Sequence, residues 1–200
     1  MPWRKLFGAD PAFFAEVVSY VFLADDEPDN QEISPERRNI SVVGIAALRS
    51  WHTPPGVRSD RTVDADVLRA WTVEALRLLT ESGHTLAGGR AIGRVLADVP
   101  PESDGVWPAA PVRDLIEELE SDAIDLGLYY GKIDSRLMAS WSLESGGAGH
   151  RALASQFRAW AGRVADQWRT ATLLRKLAAY YEGLGRWEDD KSGEFADQDL

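Results

Sequence analysis

The 200-residue chain contains no cysteine, which excludes disulfide frameworks, zinc fingers, thiol nucleophiles, redox pairs and iron–sulfur ligation. Long apolar runs are also missing. The longest, Val17 to Ala24 (broken by Ser19) and Val42 to Leu48, fall well short of the roughly 20 residues that cross a bilayer as a helix. Arg4 and Lys5 lie near the start, but no apolar stretch of signal-peptide length follows them. A cytoplasmic protein that does not span a membrane is the expectation. Catalytic signatures are absent as well: there is no Gly-x-Ser-x-Gly, no P-loop, no dinucleotide fingerprint and no His-Glu-x-x-His. No catalytic residue, metal ligand or cofactor is expected on these grounds.

What the chain does have is apolar mass. Hydrophobic residues make up 44% and charged residues 27%, with 8 Trp, a composition that supports a packed core rather than disorder. The net charge is −10. Most of it lies in residues 101–150, where ten acidic residues face three basic ones. Such a balance repels phosphate backbones and anionic lipid, so nucleic acid and membrane are disfavoured as partners. Arg outnumbers Lys 18 to 4, which leaves room for a local Arg cluster.

Helix signals recur along the chain and no segment alternates as a strand would. Asp10-Pro11 is an N-cap followed by proline at the first helical position. Phe13, Phe14, Val17, Val18, Val21 and Phe22 then form an apolar face. Ser34-Pro35 opens a second helix, with Val42, Ile45, Ala46 and Trp51 assigned to its buried side, and Thr53-Pro54-Pro55-Gly56 must end it. Asp64 caps a third, carrying Val67, Leu68, Trp71, Ala75, Leu78 and Leu79, and Gly83 closes it. A short fourth runs from about Gly89 to Asp98. The fifth, from Pro111, is read as continuous through Val112, Leu115, Ile116, Leu119, Ala123, Leu126 and Tyr130. Residues 131–148 read as a long irregular connection. A sixth helix holds Leu153, Phe157, Trp160, Val164 and Trp168. After a break near Arg169-Thr170, a seventh holds Leu173, Leu174, Leu177, Tyr180, Tyr181 and Leu184. The fold class is therefore all-α, about seven helices packed as antiparallel neighbours in a single domain over 1–187, with an acidic, flexible tail over 188–200.

Several phrases occur in a familiar order: Asp-Pro-Ala-Phe-Phe-Ala-Glu-Val-Val-Ser-Tyr-Val-Phe (10–22), Trp-His-Thr-Pro-Pro-Gly (51–56) and Ile-Gly-Arg-Val-Leu-Ala-Asp-Val-Pro-Pro-Glu-Ser-Asp-Gly-Val-Trp-Pro (92–108). Val-Arg-Asp-Leu-Ile-Glu (112–117) and the Gly-Gly…His-Arg-Ala-Leu-Ala run (146–154) complete the set. Together they resemble the C-terminal α-helical region of large, poorly characterised bacterial multidomain proteins, some of defence or NTPase type. The resemblance covers nearly the whole chain. It implies a fragment, or a stand-alone relative, of a module that follows other domains, and it brings no catalytic residues with it.

A few groups carry chemistry, each with a plainer reading beside it. Asp114, Glu117, Glu118, Glu120, Asp122 and Asp125 line the acidic helix. They form a solvated surface, a divalent-metal or general acid/base pair, or, through Asp114, Glu118 and Asp125, a face for a basic protein partner. Trp107, in the turn Asp104-Gly105-Val106-Trp107-Pro108, either anchors a partner or folds back over the helix that follows. Arg136 either contacts a partner or pairs with the acidic helix. His150 and Arg151 follow Gly146-Gly147-Ala148-Gly149 at a helix start, where exposed N–H groups favour an anion; a flexible cap is the alternative. His52 and His84 sit after helix ends, where an imidazolium suits the helix dipole. The leading functional expectation is a non-catalytic helical module for protein–protein interaction or assembly, as in a bacterial defence or regulatory complex. A small-ligand binder or enzyme with an anion site between helices is the alternative. An acidic occupant of a target's nucleic-acid surface is the third.

Overall fold

The computed structural model describes residues 3–28, 34–101, 104–137 and 147–196, with side chains described over 6–28, 34–101, 104–135 and 147–191. Among these residues the chain is all α-helical. Its helices are α1 (Trp3–Ala9), α2 (Pro11–Val21), α3 (Pro35–Arg49), α4 (Ala65–Glu81), α5 (Thr85–Leu96), α6 (Ala110–Leu119), α7 (Asp122–Leu137), α8 (Ala148–Arg163) and α9 (Trp168–Ala196). The contacts divide the chain into two units, Met1–Lys132 and Ile133–Leu200.

Three helix starts follow directly from side-chain chemistry. Asp10 accepts hydrogen bonds from the N–H groups of Ala12 and Phe13, Ser34 from that of Arg37, and Asp64 from that of Val67. These satisfy donors that the first turn of a helix cannot pair internally. Gly83 ends the α4 region with φ +74°, a left-handed turn that a side chain would strain.

In the first unit, α2 packs on α1, α3 and α4. Its Phe14 and Val18 are fully buried. Phe14 lies 5.4 Å from the Trp51 ring and 5.2 Å from the Trp71 ring, and Phe7 lies 5.4 Å from Trp51. This tilted aromatic cluster removes a large apolar area from water in a geometry that rings favour. From α4, Leu68, Trp71, Thr72, Ala75 and Leu79 face inward. A second contact is of another kind. Gly89, Gly93 and Ala97 on the α5 side meet Ala123, Gly127 and Gly131 on α7 with almost no side chain between the backbones. A Cβ added to Gly93 would lie 2.1 Å from the Ile124 carbonyl oxygen, and one added to Gly127 would lie 2.2 Å from that of Arg90.

The second unit is dominated by α8 and α9 packed antiparallel. Ala154, Phe157 and Ala161 of α8 and Leu174, Leu177, Ala178 and Tyr181 of α9 are buried. Phe157 and Tyr181 stack at 5.6 Å with nearly parallel planes.

Several expectations are corrected. The fifth helix of the sequence reading is two helices: Glu120 adopts a left-handed conformation (φ 48°, ψ 35°), and the Ser121 side chain then accepts from the Ile124 N–H. The acidic residues therefore divide between α6 and α7. Residues 131–137 are helical rather than irregular, and Ala148 already belongs to α8; residues 138–146 lie outside the described residues. The chain breaks at Val164–Gln167, before Trp168, not near Thr170, and α9 extends as far as Ala196. An additional helix, α1, precedes α2. On α3, Val42 is 62% exposed and Ala46 is exposed as well, because Leu48 and Gly44 supply the packed face instead.

The close contact between α5 and α7 gives a sharp test. Gly93→Ala or Gly127→Ala must push two backbones apart and is expected to destabilise by about 3 kcal/mol or more. Gly183→Ala, whose added Cβ meets nothing within 4 Å in the middle of α9, is expected to stabilise by up to about 1 kcal/mol. Denaturant unfolding of the three variants checks both signs.

Candidate functional site

Trp107 occupies the turn before α6, and its ring is buried at 3% exposure. The indole N–H donates to the Ala97 carbonyl at 3.2 Å, and Lys132 Nζ stands 4.4 Å above the ring. Trp107 thus ties the α6 approach to the end of α5 instead of projecting from the surface. Arg113 of α6, which the sequence alone does not single out, is bonded to this turn. Arg113 is buried: its guanidinium donates to the Pro108 carbonyl at 2.8 Å and to Asp104 Oδ2 at 2.6 Å. No sequence signal separated this arginine from its exposed neighbours, since only the way the turn folds back reveals its role.

The acidic residues do not converge. Asp114 is exposed on α6. Glu118 is engaged by Arg69 of α4, whose Nε donates to Oε2 at 2.8 Å and whose Nη2 donates to Oε1. This bidentate geometry holds the Glu118 carboxyl below the usual glutamate range, chiefly through the hydrogen bonds from Arg69 and then through its charge. Asp125 belongs to α7, half-buried, with Oδ1 fully shielded from solvent. The backbone of Arg136 is helical, but its side chain lies outside the described residues.

The α8 start carries the expected anion-binding pair. His150 Nδ1 lies 3.0 Å from Glu188 Oε2, and its ring stacks on Tyr181 at 6.0 Å. Arg151 pairs with Asp189, whose other carboxylate oxygen accepts the Gly147 N–H at 3.1 Å. The anions at this helix start are therefore carboxylates of α9. Gly147 and Gly185 make the approach possible: a Cβ on Gly147 would lie 2.0 Å from the Gly185 carbonyl oxygen. His52 pairs with Asp98 at 2.8 Å, and His84 is buried beside the Ser82 hydroxyl. Among the described residues no group of three His, Asp or Glu could hold a metal ion.

No family model, curated protein or solved structure matches this chain. The functional reading therefore rests on the surface the helices present. Beyond the charged groups, that surface carries large apolar side chains which the sequence reading placed inside or left unassigned. Ile40, Val42 and Val43 on α3, Tyr20 on α2, and Trp168 and Trp187 on α9 are all more than half exposed. The signal for α3 lay in its composition: apolar residues occupy too much of its circumference for one buried stripe.

The Arg69–Glu118 contribution to stability is present above the usual glutamate range and is lost as pH falls through the lowered value in the folded chain. A carboxyl NMR titration should show Glu118 protonating below that range, and Arg69→Ala should return it there. For the turn, Arg113→Ala strands the carbonyls and Asp104 and is expected to cost about 3 kcal/mol. Arg113→Lys should recover only part of this, because an ammonium cannot reproduce the planar fork; thermal unfolding of both variants distinguishes them.

Proposed function

We propose that the chain is a non-catalytic helical module that binds another protein, of the kind around which bacterial defence or regulatory complexes assemble. The observation that carries this reading is the presentation of two α9 tryptophans. Trp168 is 58% and Trp187 55% exposed. Each is stacked by a cation of its own helix: Arg169 lies 5.1 Å from the Trp168 ring, and Lys191 Nζ 4.3 Å from that of Trp187. Tryptophan is the side chain most enriched in binding hot spots, and a stacked cation limits the rotamer freedom that binding would otherwise remove. The pairing of His150 and Arg151 with carboxylates of α9 weakens the alternative of an anion site there.

The test is affinity capture from nuclease-treated host lysate with the wild-type chain and with the Trp168→Ala/Trp187→Ala double variant, read by mass spectrometry. A protein partner retained by the wild type and lost by the variant, at unchanged melting temperature, is the expected result. Recovery of the bait alone, or equal capture by both chains, would count against it.

A further inference from the structure

Helix α3 has two apolar faces, and only one is packed. On the packed face Leu48 is buried and Gly44 meets α2 closely, an added Cβ lying 2.2 Å from Val21 Cγ2. The opposite side presents Val42, Val43 and Ala46 with Ile40 at its margin. Ile40, Val42 and Val43 are 52%, 62% and 71% exposed. At helical spacing, Val42 and Ala46 are one turn apart and Val43 lies beside them. Contiguous exposed β-branched side chains of this kind mark interaction surfaces.

Charge says what fits there. Arg38 stands one turn before Val42 and Arg49 two turns after it, so both lie along the same margin of the stripe. Both are exposed, and neither has an ion-pair partner among the described residues. We propose that the outer face of α3 docks an amphipathic helix of another protein, one whose apolar stripe is flanked by carboxylates. Valines and alanine form the seam, and Arg38 and Arg49 meet the acidic flank at its two ends. A second copy of this chain fits less well, because an antiparallel α3 pair opposes Arg38 of one copy to Arg49 of the other. A bilayer surface fits less well too: the stripe has none of the aromatic or leucine side chains that insert at membrane interfaces, and the chain's net charge is −10.

The proposal rests on the reading of an interaction module, but its test is separate, since it varies α3 alone and leaves α9 untouched. The probes are two fluorescein-labelled helical peptides of about 20 residues, identical in their leucine seam, one flanked by glutamate and its twin by lysine. Fluorescence anisotropy with the full chain should show the glutamate peptide binding at least tenfold more tightly than the lysine twin. Val43→Glu should weaken that binding about tenfold or more. Arg38→Glu/Arg49→Glu should reverse the preference. Circular dichroism confirms folding, and Val43→Ser serves as a milder variant in case Val43→Glu perturbs the helix. The proposal is overturned by equal affinity for both peptides, by no binding, or by binding indifferent to Val43→Ser and Val43→Glu. It is also overturned if light scattering shows a dimer that Val43→Glu dissolves, or if the chain floats with phosphatidylglycerol vesicles in an α3-dependent way.

Discussion

The first unit depends on how closely α5 and α7 approach. Gly89, Gly93 and Ala97 on one side and Ala123, Gly127 and Gly131 on the other repeat at four-residue spacing, which keeps each set on one face of its helix. Removing the side chains lets carbonyl oxygens of one helix sit against Cα atoms of the other, where dispersion and weak Cα–H···O contacts act over the full length of the crossing. Glycine is a poor helix former, and α5 carries three in twelve residues. That helix is held by its packing rather than by its propensity. The Gly88 position extends the same logic toward α4, since a Cβ there would lie 2.3 Å from Leu79 Cδ1. Trp107 in turn donates to Ala97 at the end of this seam, so the turn that leads into α6 takes its position from it.

Polar side chains serve a related purpose by tying segments that are distant in sequence. Arg69 and Glu118 join α4 to α6, Asp98 holds His52 of the α3–α4 connection, and in the second unit Glu188 and Asp189 hold His150 and Arg151. Exposed ion pairs of this sort are individually weak. Where they coincide with a close backbone approach, as at Gly147 and Gly185, they select one register of α8 on α9 more than they add stability. The Phe157–Tyr181 and His150–Tyr181 stacks lie along the same contact and supply the apolar part.

The helix starts were legible because their signals are local: Asp10, Ser34 and Asp64 each cap the helix that the sequence assigned to them. The all-helical class was legible for the same reason. The break at Glu120 was not, since a glutamate gives no sign of φ 48° and the local signal is a single serine, Ser121, whose side chain accepts from the Ile124 N–H. Gly131 misled in the opposite direction. It opens the stretch 131–148 that reads as an irregular connection, yet it is a seam residue of α7 whose lack of a side chain admits Arg94 and Ala97. Of the candidate site, the pairing of His150 and Arg151 could not be read, because their partners lie nearly forty residues away on another helix. The identity of the residues carried the chemistry, but only the three-dimensional placement shows which charge each one meets.

Helix α3 shows why periodicity alone could not assign a buried face. With Ile40, Val42, Val43, Ile45, Ala46 and Leu48 in one helix, several apolar stripes exist, and a hydrophobicity pattern cannot rank them. Gly44 decides the matter. Only the face that contains it can come close enough to α2 for the Val21 side chain to occupy the space of the missing Cβ, and the Ser41 hydroxyl on that side reaches the Tyr20 carbonyl at 3.3 Å. Choosing that face leaves Val42 and Val43 outward. The same device that builds the core in α5 and α7, a glycine where two helices must nearly touch, thus also determines which apolar side chains remain on the surface.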